Sequence, residues 1–359
     1  MQATSVYDEG YDALDLATNV AAEYVRKFQT GDLSKLISPN APESAQVART
    51  LMTVDTACEL PQAWLDANSI GVIPRIIKLR SGDVLETRDN DSTLKFIEEI
   101  KAGGHADALS APLSPLEMRD QLQKLMSSGT DAVLQVSSAA SRSKFFVNAL
   151  SATQSLVLIH NKVRRSMGNK TPLTAWVVDS LNAFGGVGVQ LAHAVSLRES
   201  GATSAQIAVA LNAFRRNVHT LIVPHDLSFI ERTARSVERV KVPRWKIYLA
   251  GILGIRPIFH LNADTARTMG RASNYALAID QVFRATESQI KLGLASPFIC
   301  VSYAGRLEDI ESSAEFVALR ALCHRNSIAL SLSVMSMTGV LMLGPRALSV
   351  SFASQHLKT

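Results

Sequence analysis

Residues 108–141 read ALSAPLSPLEMRDQLQKLMSSGTDAVLQVSSAAS. Ser114 stands in front of Pro115, and Glu117 lies three positions after the serine. This spacing predicts a helix over 115–129 with a capping box at its start, because proline at the first helical position gives up an N–H that has no helical partner. After this helix, DAVLQVSS at 131–138 is a short apolar run of strand length. Working outward, RTLMTVDT (49–56) and IGVIPRIIKL (70–79) read as strands upstream. Downstream, 141–158 reads as helix, NKVRRSMGNKTP (161–172) as a basic loop and TAWVVDS (174–180) as a further strand. Strands that alternate with helices predict an α/β domain with a mostly parallel, Rossmann-like sheet.

A second α/β unit follows. GGVGVQLAHAVSLRESG (185–201) and TSAQIAVALNAFRRNV (203–218) have helical periodicity, with Thr203 and Gln206 spaced as a second capping box. TLIVPHDL (220–227), FICVSYAG (298–305) and IALSLSVMSMTGVLML (328–343) read as strands, and SAEFVALRALCHR (313–325) as a helix. At the other end, 8–29 has the spacing of an amphipathic helix, followed by a Gly/Pro/Ser/Asn linker over 31–46. The expected organisation is a helical extension and linker at 1–48, an N-terminal α/β domain at 49–178 and a C-terminal α/β domain at 179–359. A chain of 359 residues with 47% hydrophobic and 19% charged residues has ample apolar material for two cores, which excludes overall disorder.

Several chemistries lack their residues. There is no GxSxG elbow, HExxH pair or Walker loop, so hydrolysis, zinc chemistry and direct ATP handling are not expected. Cys58, Cys300 and Cys323 are too scattered for a disulfide framework or a metal site, and no cofactor is expected. The N-terminus carries acidic residues where an export signal needs basic ones, so a cytoplasmic protein is expected. The uncharged stretch 326–345 reads as buried strands with a turn, not as a membrane span. The +5 balance is too small to signal nucleic acid by itself. Its basic residues gather at 229–248, where Arg232, Arg235, Arg239, Lys241, Arg244 and Lys246 form either a solvated face or a docking face for an acidic or phosphate-bearing partner.

Gly185, Gly186 and Gly188 read as a tight helix entry sooner than as a dinucleotide loop, since they do not directly follow a strand. His193 and His219 read as packing or surface residues, and the His225-Asp226 pair as a turn. The positive signal is recurrence: VDT (54–56), ALSAPLSP (108–115), VSSAAS (136–141) and VVDS (177–180) all place small hydroxyl or acidic residues at strand ends. In an open α/β sheet those ends meet at the ligand crevice, where hydroxyls and backbone N–H groups can receive an anion.

Taken in order, these pieces resemble the DegV family of two-domain fatty-acid-binding proteins. VDTACELP (54–61) is similar to the family's opening Asp-Ser-Thr-Ala-Asp-Leu-Pro motif, with Asp55, Thr56, Ala57, Glu59, Leu60 and Pro61 in corresponding order. SAPLSP (110–115) resembles Thr-Ser-Gln-Pro-Ser-Pro, and VSSAAS (136–141) the Ser-Ser segment. VVDSLNAFGGVG (177–188), HDLSFIERTARS (225–236) and LGIRPIF (253–259) continue the series, which spans about 49–355. The resemblance implies a ligand tunnel at or near the domain interface. It also implies a bound long-chain fatty acid and a carboxylate site that includes Thr56, Ser110, Ser137 and Ser138. It further implies presentation of the acid to a separate kinase or acyl-transfer partner, a fatty acid kinase being expected to dock near 229–248, with no catalysis by the chain itself.

The sequence departs from the family at its last motif, where Met342 replaces a histidine and Arg346 a glycine, and Thr233-Ala234-Arg235 stands for Gly-Gly-Arg. Arg346 therefore enters as a further candidate for the carboxylate, since a guanidinium pairs with it bidentately. Two other readings stay open: an enzyme acting on a small anionic substrate in the interdomain crevice, and an interaction protein whose lipid site has diverged.

Overall fold

The computed structural model describes residues 49–230, 255–355 and 357. The expected N-terminal extension (1–48) and the basic run from 231 to 248 lie outside the described residues.

The fold is a two-domain α/β arrangement. In the N-terminal domain, β1 (Thr50–Asp55), β2 (Ile70–Ile73), β6 (Ala132–Ser137) and β7 (Thr174–Asp179) form an all-parallel sheet in the order β2-β1-β6-β7. Every residue of β6 is buried, as a central parallel strand requires. Its helices are α1 (Gln62–Ala67), α2 (Asn90–Lys101), α3 (Pro115–Leu125) and α4 (Phe145–Ser166); α2 packs away from this sheet, its Phe96, Ile97 and Ile100 sharing a core with Val334 and Val340. The capping box of α3 forms as its sequence predicts: the Ser114 hydroxyl accepts from the Glu117 N–H, and the Glu117 carboxylate accepts from the Ser114 N–H. Helix α4 starts later than expected and runs to Ser166, so it takes in the first half of the supposed basic loop.

The run 70–79 is not one strand. Pro74 has no N–H to give a ladder, and the chain turns there from β2 into β3 (Arg75–Lys78), which leaves the parallel sheet. Strand β3 instead pairs antiparallel with β4 (Val84–Leu85) and β5 (Leu109–Pro112) in a three-stranded sheet.

In the C-terminal domain, helices α5 (Gly185–Glu199) and α6 (Ser204–Phe214) precede β8 (Val218–Val223), β9 (Arg256–Asn262) and β10 (Thr265–Ala272). The chain continues through α7 (Tyr275–Leu292), β11 (Phe298–Tyr303), α8 (Glu308–Glu311), α9 (Ala314–Arg325), β12 (Ala329–Val334), α10 (Met337–Leu343) and β13 (Leu348–Ala353). The six-stranded sheet has the order β10-β9-β8-β13-β11-β12, antiparallel except for the β11–β12 pair. The expected strands across 328–343 are half right. Ser336 breaks the strand pattern by capping the Gly339 N–H, and 337–343 become the buried helix α10.

Helix α5 lies between the sheets. Its Val187, Leu191 and Val195 share a core with Val54 and Leu134 of the parallel sheet and with Phe298 and Cys300 of the six-stranded sheet. A Cβ on Gly188 would stand 2.7 Å from the Cys58 carbonyl oxygen, so this helix position needs glycine for close approach. A second shared core joins Ile77 of the three-stranded sheet, and Ala108 just before β5, to Ile222, Leu261, Met337, Val340 and Leu341 of the C-terminal domain. Among the described residues no helix is long and apolar enough to cross a membrane.

Candidate functional site

The C-terminal ends of the parallel strands, the small sheet and α10 meet at the seam between the domains. Strand β1 ends on Asp55, which is fully buried. Its carboxylate accepts from the Ala57 N–H at 3.0 Å, from Ser138 Oγ at 2.6 Å and from Arg75 Nη1 at 3.1 Å. Arg75, which follows Pro74 in a mostly apolar run, is only 5% exposed, and its guanidinium forks three ways. Besides Asp55 it donates to Ser143 Oγ at 2.9 Å and, through Nε, to Ser110 Oγ at 3.1 Å. Ser110 Oγ lies 2.7 Å from Thr338 Oγ1 on α10. The buried Glu86 carboxylate then accepts from Thr338 Oγ1 at 2.8 Å, from the Thr338 N–H at 2.7 Å and from Thr56 Oγ1.

Thr56, Ser110 and Ser138, which stand far apart in the sequence, thus belong to one hydrogen-bonded network. Ser137 does not join it: its buried hydroxyl donates to the Ser138 carbonyl at 2.9 Å. Arg346 stands elsewhere. It is exposed, has a backbone φ of 63°, and places its guanidinium over the Tyr275 ring at 5.6 Å. Its N–H donates to the Ala304 carbonyl at 2.7 Å, and its side chain also hydrogen-bonds Tyr303. None of these partners is in the network.

A third buried carboxylate, like Glu86, ties the domains together. Glu59 accepts from the Ser336 N–H at 2.9 Å and Ser336 Oγ at 2.6 Å, while its backbone carbonyl accepts from Ser333 Oγ at 2.7 Å. Arg88 donates to the Leu60 carbonyl in one domain and the Val334 carbonyl in the other, each at 3.0 Å, and lies 3.6 Å from Glu59. Burial pushes the Glu59 carboxyl up to about 7, against the pull of Arg88 and the Ser336 donors.

Apolar side chains adjoin the network along the same elements. Ile77 pairs with Ser110 in the small sheet, and Met337, Val340 and Leu341 flank Thr338 on α10; all but Ser110 and Thr338 belong to the second shared core. Its edge is formed by the partly buried Phe229, Ile230, Phe259, Leu307 and Met342. The histidine readings are met by packing: His193 stacks on Phe214, and Asp226 accepts from the Ser228 N–H as a turn does. Among the described residues no group of three or more potential ligands could hold a metal ion.

Of the network's other members, Asp55 stands in the VDT motif, while Arg75, Glu86 and Thr338 lie outside the motifs. Arg75 had one signal, a charge within an apolar run next to proline. Glu86 and Thr338 had none, because each acquires its role only when distant segments meet.

Comparison with known proteins covers most of the chain. The family model described as "Uncharacterised protein, DegV family" matches residues 50–355. A DegV domain-containing protein of Xanthomonas campestris pv. campestris is 28% identical over 304 residues, 85% of this chain and 97% of that one. Among solved structures, a DegV lipid-binding protein from Thermotoga maritima superposes with a TM-score of 0.66 at 16% identity, covering 86% of this chain and 100% of its own. A DegV family protein from Thermus thermophilus, described for its fatty acid binding, gives 0.63 at 19% identity, with 85% and 99% covered.

Proposed function

The chain belongs to the DegV family, and from that premise we propose that it binds a long-chain fatty acid at the seam between its two domains. The carboxylate sits at the Thr56, Ser110 and Ser138 cluster, and the acyl chain runs along the apolar core edged by Phe229, Phe259 and Met342. The observation that carries this reading is the adjacency of the two: a cluster of hydroxyls and one buried guanidinium lies beside apolar side chains contributed by both domains.

The energetics favour the tail as the source of affinity. At about 0.8 kcal/mol per buried methylene, a chain of roughly 15 carbons supplies about 12 kcal/mol before association and ordering costs. The hydroxyls orient the head group and do not attack it, since none of them has a histidine partner in the network. The protein therefore acts as a cytoplasmic carrier without catalysis of its own, and a separate kinase phosphorylates the acid it presents. The basic run within 229–248 is the face proposed to receive that kinase, through steering more than tight contact.

Ser137 and Arg346 have lesser parts in this reading. Ser137 fixes the turn that carries Ser138, and Arg346 acts at the protein surface near Tyr275 and Tyr303. Mass measurement of the protein under native and denaturing conditions tests the proposal, because a carried acid adds its mass only to the folded form.

A further inference from the structure

We infer that Glu86 is an internal stand-in for the ligand's carboxylate, and that a fatty acid binds by displacing it from Thr338 and Thr56. The inference rests on the fatty-acid reading above and concerns how that site is controlled.

The hydroxyl protons of Thr56, Thr338, Ser110 and Ser138 can each be accounted for. Thr56 Oγ1 donates to Glu86, as does Thr338 Oγ1, and the Thr338 N–H completes the set. Because the single Thr338 hydroxyl proton goes to Glu86, the 2.7 Å contact with Ser110 must use the Ser110 proton. Ser110 in turn accepts from Arg75 Nε, and Ser138 donates to Asp55. An incoming carboxylate would therefore find these hydroxyls spent and a like charge in their midst.

Moving Glu86 away releases the Thr56 hydroxyl, the Thr338 N–H and the Thr338 hydroxyl together, and through Thr338 it frees Ser110 to turn. These donors suit any carboxylate, so the incoming acid restores what the leaving one gave up. The chain before Glu86 is suited to such a movement. Strand β4 is two residues long at the edge of its sheet, with Val84 47% and Leu85 50% exposed. Gly82, with φ of 125°, precedes it. Glu86 itself is 1% exposed, a poor setting for a carboxylate whose only task is solvation of a surface loop.

The test is to titrate wild type and Glu86→Gln with palmitate and with hexadecan-1-ol, which has the same tail but no charge. Displacement predicts that the preference for palmitate over the alcohol rises about 10- to 100-fold in E86Q, since a competing charge and its charged hydrogen bonds are gone. An unchanged or reduced preference overturns the inference. A crystal structure of the wild type with palmitate decides the matter even where E86Q fails to fold. Palmitate oxygen on the Thr338 N–H, with Glu86 turned out, supports it. Palmitate bound with Glu86 still on Thr338 overturns displacement but leaves the fatty-acid reading standing. Folded protein of either kind that binds no palmitate overturns both.

Discussion

Arg75 shows at the scale of one residue how the site is built: its guanidinium joins the Asp55 carboxylate to the Ser110 hydroxyl, and so links two motifs that the sequence holds apart. Asp55, Thr56, Ser110 and Ser138 stand in motifs, whereas Arg75, Glu86 and Thr338 acquire meaning only through long-range pairing. Replacing Ser110 with alanine removes the bridge between Arg75 and Thr338. Palmitate affinity should fall about tenfold, the effect of one lost hydrogen bond beside a charge; unchanged affinity in a titration would place the head group elsewhere. The His219 and His260 pair bears on stability. The Ser354 carbonyl must accept from His219 Nε2, and Arg267 Nε donates to His260 Nδ1, so His260 Nε2 donates to His219 Nδ1 at 2.9 Å and both rings are neutral. Burial, then His219 and Arg267, depress His260 from 6.5 to about 4. A depressed folded value means stability that is present above pH 6.5 and lost as pH falls towards 4. Glu59, raised to about 7, has the opposite sign, so the measurement compares chemical unfolding of wild type with His219→Leu/His260→Leu. The double variant should lose less stability on acidification; equal losses would refute the neutral pair.

At the scale of elements, what is locally encoded was legible. Both capping boxes, Ser114 with Glu117 and Thr203 with Gln206, form as spaced, because each needs only residues within one turn. The parallel strands followed from apolar runs of the right length. The breaks were harder: Pro74 separates two strands that belong to different sheets, and 337–343 looks like strand until Ser336 caps it as a helix. Helix α7 also carries local signals, with Asn274 capping the Leu277 N–H, Ala278, Val282, Phe283 and Ile290 on its buried face and Gly293 after its end. The Gly185 to Gly188 entry to α5 was read as packing, and the Cβ geometry at Gly188 agrees. Gly188→Ala should cost about 1–3 kcal/mol, as overpacking against the Cys58 carbonyl requires. Denaturant unfolding checks this, and an unaffected midpoint would mean that α5 can move away from the parallel sheet.

For the whole molecule, length and composition gave two cores, but not that they would share one helix and a second apolar cluster across the seam. That seam is where Glu59, Glu86 and Arg88 reach from the N-terminal domain to Ser336, Thr338 and Val334 of the C-terminal domain. A ligand placed there touches both domains, so binding and domain coupling share the same residues. The central claim, a carried long-chain fatty acid, is tested most directly by mass spectrometry of protein purified without detergent or added lipid. Native spectra should show the chain plus the mass of one long-chain acid, and denaturing spectra the bare chain with the free acid released. Chain of bare mass under both conditions, which also takes up no palmitate when it is supplied, would contradict the account.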